Sequence, residues 1–171
     1  MALQSKVNVG LAPAIAGMPA SVVETHYTAQ TYQAASDLTV GNFCFADATS
    51  AGTKVNKAGT GILRGIVVYT RQYITGEVTA ANAMVIPKGG FAQIATNGKF
   101  WVVAQNAQAK VGDYVLASQT DGSVTTQTGN AKKEGFTMTN FVVENVLGTE
   151  AKSLVLISNQ QPNVVPPMAT A

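Results

Sequence analysis

The sequence is poor in the residues that do chemistry. Its 171 residues include one cysteine (Cys44), one histidine (His26) and one tryptophan (Trp101). A single cysteine excludes an intramolecular disulfide and a cysteine metal cluster. Cys44 lies in the apolar stretch Asn42-Phe43-Cys44-Phe45-Ala46, where a small buried hydrophobe is expected. A Ser-His-Asp or Cys-His mechanism would have to use His26, in "VETHYTAQ", where a strand or surface histidine is the ordinary reading. A zinc site would need carboxylates for most of its ligands, which is uncommon. The nine carboxylates are Glu24, Asp37, Asp47, Glu77, Asp113, Asp121, Glu134, Glu144 and Glu150, and they are scattered. No two have the spacing of a calcium loop or a glycosidase pair. "KGG" at Lys88 and "AGTG" at Ala58 lack the spacing and following helix of a phosphate loop and are expected to be turns. The expectation is a protein that is not an enzyme, with no catalytic residue, cofactor or metal.

Charge is scarce as well. Charged residues make up 12% of the chain, against about 25% in an ordinary soluble domain. Net charge is +2, and no basic run exceeds Lys132-Lys133, so the basic stripe that nucleic acid requires is missing. The few aromatics do not interleave with basic residues. No apolar run approaches the ~18 residues of a membrane span. The uncharged stretch from Val7 to Val23 is broken by Asn8, Gly10, Pro13, Gly17 and Pro19, unlike a signal peptide. Neither nucleic acid nor membrane is therefore an expected partner. A surface with so few charges has little protection against association. It suits a subunit held against partners, and equally a β-domain made soluble by Thr, Asn, Gln and Ser.

What the chain does have is strand after strand. Three regions separate by texture: 1–36 as an extended N-terminal arm, 37–159 as a β-barrel or sandwich, and 160–171 as a Pro-rich tail. In the arm, Pro13 and Pro19 break any helix. Thr25 to Tyr32 alternates weakly and suggests a first strand. From Asp37, Val, Ile, Thr and aromatics dominate and Gly, Asn and Asp punctuate, which predicts an all-β, compact antiparallel fold. Gly65 interrupts "GILRGIVVYTRQY", where a bulge or close backbone approach is expected. "SLVLIS" is a short apolar run expected to pair back on Phe141 to Val146. "EVTAANAM", Glu77 to Met84, has room for a turn or two of helix. An internal echo links "TVGNFCFADATSAGTKVNKAG" from Thr39 to "KVGDYVLASQTDGSVTTQTG" from Lys110. Each has a Val-Gly-Asn/Asp-aromatic entry, with Asp113 a turn residue in the second. Each then has an apolar strand and a reversal, at Gly52 or at Asp121-Gly122, before a return strand.

"GFAQIATNGKFWVVA", Gly90 to Ala104, predicts a hairpin turning at Asn97-Gly98, because a type I′ turn needs positive φ at both central residues. Its two faces would carry Ala92, Ile94, Trp101 and Val103, and Phe91, Ala95, Phe100 and Val102 with Gln93 among them. Neither face is polar, so Phe91, Phe100, Trp101 and Val102 are expected in the core or at an interface. Val7, Val9, Leu11, Ile15, Met18 and Val22 of the arm, and Val164, Val165 and Met168 of the tail, are the expected contact residues. Burial of the arm's apolar groups only just offsets its ordering entropy. The arm is accordingly expected to be an assembly contact, whose removal leaves unfolding nearly unchanged.

The hairpin, the "AKVGDYVLAS…DGSV" that follows it, the earlier "LTVGNFCFAD…AGTKVNKAGTGILRGIVVYT", the arm segment Ala16-Gly17-Met18-Pro19-Ala20 and the final "SLVLIS" form an ordered set. Together they resemble the tailed-bacteriophage capsid cement (decoration) proteins. The resemblance implies a structural protein of the virion, made in the host cytoplasm and placed on the outer surface of the capsid. It implies the major capsid protein as partner, and a homo-oligomer, dimer or trimer. From another class, a virion or surface carbohydrate-binding β-module would use Tyr69, Tyr73 or Trp101 to stack on sugars.

Overall fold

The computed structural model describes residues 14–21, 25–28, 30–70, 84–106, 108–148 and 151–160. Among them are fourteen strands and no helix. One sheet has seven strands: β1 (His26–Tyr27), β9 (Ile94–Asn97), β6 (Leu63–Val67), β4 (Phe43–Ala46), β5 (Lys54–Asn56), β2 (Tyr32–Ala34) and β8 (Phe91–Ala92), in that order. A second has five: β10 (Lys99–Val103), β14 (Leu154–Ser158), β13 (Phe136–Leu147), β11 (Tyr114–Ser118) and β12 (Val124–Gln127). A ribbon of β3 (Leu38–Thr39) and β7 (Val85–Ile86) completes the set. The chain before residue 37 thus supplies β1 and β2 to the larger sheet. Residues 77–83, where a helical turn was conceivable, lie outside the described residues.

Both large sheets curl until their ends meet. β8 closes one end of the seven-stranded order, yet only Gln93 separates it from β9 near the other end. In the five-stranded sheet the chain leaving β10 crosses to the opposite edge. There Ala104 bridges Val124 in parallel, and Gln105 N donates to Val124 O at 2.8 Å. Asn106 continues the edge with its side chain. It accepts from Thr126 N at 2.8 Å and donates to Thr126 O at 3.1 Å. Closure leaves few unpaired edge groups to template aggregation.

The sequence echo is a repeat in three dimensions. β4 and β5 form one antiparallel hairpin, and β11 and β12 form the other. The order β5-β4-β6-β9 in one sheet matches β12-β11-β13-β14 in the other. The entry turns match too. Gly41 N donates to Val67 O and Val67 N to Asn42 O; Gly112 N donates to Val143 O and Val143 N to Asp113 O. Each copy has a register shift one or two residues into its first strand, at Cys44/Phe45 and at Tyr114/Leu116. The first bulge lies opposite Gly65. There φ is +139°, and a Cβ would fall 2.2 Å from Ala95 O, so the close approach expected from the sequence is present.

Strand alternation sorts side chains into two cores. Phe43, Phe45, Ile66 and Ala95 join Phe100, Val102, Val115, Phe141, Val143, Val155 and Ile157 between the two sheets. Cys44, Val67 and Ile94, one position along, join Tyr32, Leu38, Val55, Ile86 and Ala92 in the second core, which includes the ribbon. The central strand β4 is buried on both faces, which explains why "FCFA" shows no polar alternation. Phe141 meets the edges of Phe43 and Phe100 at 5.8 and 6.2 Å, contacts of about 0.5–1.5 kcal/mol each beyond area burial.

The hairpin expected at Asn97-Gly98 does not form. β9 pairs with β6 and β1, and β10 pairs with β14, so the two strands belong to different sheets. Only Gly98 has positive φ (+132°), whereas a type I′ turn needs it at Asn97 as well. Gly98 is instead the corner where the chain passes between sheets. Asn159, 61 residues away, fastens it: its Oδ1 accepts from Gly98 N at 2.9 Å and its Nδ2 donates to Thr96 O at 3.1 Å. This also settles the two apolar faces. Ile94 and Ala95 face different cores because their strand is covered on both sides.

Candidate binding surfaces

Part of the arm is built into the domain. Residues 14–21 run along the free edge of β10, with Pro19 bridging Phe100 antiparallel. Gly17 N donates to Trp101 O at 2.7 Å, Trp101 N to Met18 O at 3.0 Å, and Ala20 N to Lys99 O at 2.8 Å. Gly17 O accepts from Tyr69 N at 2.9 Å, which ties the arm to the other sheet. The docking depends on two glycines set back to back. Gly17 has φ +78°, and a Cβ there would lie 2.4 Å from Val40 Cγ1 and 2.9 Å from Gly41 N. A Cβ on Gly41 would lie 2.8 Å from Gly17 N. The expectation that the arm stands apart from the barrel is corrected for these residues: a β10 edge left open by the missing hairpin captures them.

Of the arm contacts expected from sequence, Ile15 and Met18 are 45% and 44% exposed on this docked segment. Val7, Val9, Leu11 and Val22 lie outside the described residues, as do Val164, Val165 and Met168 of the tail. In the Gly90–Ala104 stretch, Phe100 and Val102 are fully buried core residues, whereas Phe91 is 57% exposed. Trp101 is half-buried. It faces outward from β10 in a row with Leu156 and Asn145, and the next row is Val103, Leu154 and Leu147. Lys99 and Glu144 form an ion pair at 2.9 Å at the margin of these rows.

Two other apolar side chains stand out: Ile62, and Val111 at 67% exposure. Val111 lines an open groove of about 620 Å³ with Ala109, Val146 and Gly148. A polar hollow of about 360 Å³ holds Asp47, Lys54 and Lys88, but the Asp47 carboxylate already accepts from Thr49 Oγ1 at 2.9 Å as part of its own turn. Tyr69 packs on the second core, and Tyr73 lies outside the described residues. Among the described residues no three His, Cys, Asp or Glu side chains gather as a metal site. No helix among them is long and apolar enough to cross a membrane.

Several polar groups serve the fold. Asp113, 5% exposed, accepts from Lys110 N at 2.9 Å and Thr128 Oγ1 at 2.8 Å, the turn role its Gly-Asp context indicates. At Asp121, partial burial opposes ionisation, but hydrogen bonds from Ser123 and Ser118 outweigh it and hold the carboxyl below its ordinary range. Burial pushes the Cys44 thiol far up, opposed only in part by the charge of Arg64. Sequence reasoning missed Asn159, and it singled out Gly17 only as part of the arm segment, not as the point of docking on β10. Asn159 carries no local signal, since both its partners lie more than 60 positions away.

A family model described as "Structural cement protein (E217 gp24/Pam3 gp6)" matches residues 3–159. Among solved structures, a chain from the capsid of Myoviridae phage XM1 superposes with a TM-score of 0.65. It covers 94% of this chain and 99% of its own at 19% identity, a likeness of fold. No curated protein sequence matches. The chain belongs to the phage structural cement protein family.

Proposed function

We propose that this cement-family chain binds the outer surface of the assembled phage head, holding neighbouring major capsid subunits together. The observation that carries the reading is the family match across residues 3–159. The geometry supports a division of labour. The domain has two packed cores, an arrangement suited to transmitting load. The docked segment 14–21 fixes where the arm leaves the domain. It leaves Ile15 and Met18 exposed, and these two, with Val7, Val9 and Leu11 earlier in the sequence, are the apolar contacts we assign to a capsid subunit. An extended arm gains backbone hydrogen bonds and apolar burial only where a partner surface supplies them, which makes binding specific to the assembled lattice. Self-association as a dimer or trimer would add avidity by engaging several subunits at once.

Cosedimentation tests this. The purified chain should pellet with assembled heads and not with unassembled capsid monomers. Replacing Ile15 and Met18 together by Asp should weaken attachment without lowering the Tm of the free protein. A chain that ignores assembled heads overturns the proposal.

A further inference from the structure

The outward face of the five-stranded sheet carries Trp101, Val103, Leu147, Leu154 and Leu156 as adjoining apolar side chains, all half-buried. Lys99 and Glu144 form an ion pair at one margin. The chain reaches this margin as it leaves β14, because Ser158 pairs with Lys99. The last described residues are held at this margin. Asn159 is fastened to the Gly98 corner by its side chain. Gln160 N donates to Ser158 Oγ at 3.2 Å. Ser158 alternates with Val155 and Ile157 and so shares the outward side with Leu154 and Leu156.

We propose that the segment from Gln161 to Ala171 folds back across this face of its own sheet and covers Trp101 and Leu156. The chemistry matches. "QPNVVPPMATA" has no charged side chain, so laying its Pro and Val residues on this face buries no side-chain ion. Pro162, Pro166 and Pro167 restrict the free chain and favour an extended polyproline conformation, which lowers the ordering entropy and suits packing on an aromatic ring. Reach is sufficient: eleven residues at ~3.1 Å each span roughly 34 Å, about twice the length of five-residue β14. Val164, Val165 and Met168 would supply the apolar contacts. The inference goes beyond capsid binding and holds whether or not the chain attaches to heads.

Trp101 is the only tryptophan, so its fluorescence reports this face alone. Two proteins are compared with wild type: one ending at Gln160, and a full-length Val164→Asp/Val165→Asp variant that keeps the chain length. Both should show a red-shifted emission and steeper acrylamide quenching, at every protein concentration. The double variant decides the matter if the truncated chain does not fold. Unchanged emission in a folded variant overturns the proposal. So does a shift that appears only on dilution of the wild type, which would mean that a second copy covers the face.

Discussion

Gly17→Ala should detach the arm from β10 while leaving the two cores intact. Alanine at φ +78° enters the left-handed region at a cost of about 1–2 kcal/mol. Its Cβ would overlap Val40 Cγ1 at 2.4 Å and Gly41 N at 2.9 Å. The valine can rotate, but the Gly41 backbone cannot withdraw, because Gly41 N donates to Val67 O inside the sheet. Overpacking of this kind costs about 1–3 kcal/mol. The docked segment is held by four backbone hydrogen bonds of about 0.5–1.5 kcal/mol each, before its ordering entropy is subtracted. The strain therefore rivals the whole docking energy, and the arm should lift rather than the core deform. The loss of global stability is then capped at the docking energy, and Tm should fall by a few degrees, at about 2–4 °C per kcal/mol. Amide hydrogen exchange is the decisive assay. Trp101 N–H and Tyr69 N–H, whose acceptors are Met18 O and Gly17 O, should lose protection, while the β14 amides of Val155 and Ile157 keep theirs. Wild-type protection at Trp101 and Tyr69 would refute the reasoning. Removing residues 1–13 alone should leave both amides protected, which separates the docked segment from the chain before it.

Asn159→Ala should destabilise by about 1–3 kcal/mol, because it strips the buried Gly98 N–H of its acceptor at the corner between sheets; urea unfolding with an unchanged m-value checks this. Gly122→Ala should cost more than a surface Gly→Ala change, since φ is +70° and a Cβ would fall 2.0 Å from Phe43 O; a Tm equal to wild type would contradict the packing of the second hairpin on β4. Cys44 should resist alkylation in the native protein and react fully in denaturant, burial having raised its pKa; rapid native labelling would show that the second core opens readily. The depressed pKa of Asp121 contributes stability that is present above the unfolded aspartate value of about 3.9 and is lost as pH falls through its lower folded value. Asp121→Ala should therefore reduce the fall in Tm between pH 4 and 2 (about the range in which folded aspartates titrate), and an unaltered acid limb would assign that loss to other carboxylates.

Where a local pattern carried enough information, the sequence reading matched the structure. Gly-Asn and Gly-Asp entries, each followed by an apolar strand and a glycine reversal, marked the hairpins β4–β5 and β11–β12, and the apolar run "SLVLIS" marked β14 on β13. Gly65 was legible because a glycine within a strand signals a close backbone contact. The poverty in His, Cys and clustered carboxylates was equally plain from composition.

At Asn97-Gly98 the same reasoning failed, and the reason is physical. Alternation fixes which side chains share a face, but when both faces are apolar it does not choose the strand that pairs on either edge. Backbone donors and acceptors are the same in every residue, so the choice between β10, β6 and β1 as partners of β9 falls to the packing of whole sheets. Once β10 went to β14, its other edge needed a partner, and the arm around Gly17 supplied it. The corner needed an acceptor for Gly98 N–H, and Asn159 supplied that. The sequence by itself determined that its described part is built of strands and turns, and that the chain is poor in His and Cys. Only the tertiary structure decided which strand meets which, because hydrogen bonds between segments more than 60 residues apart are selected by shape and burial, which no local window contains.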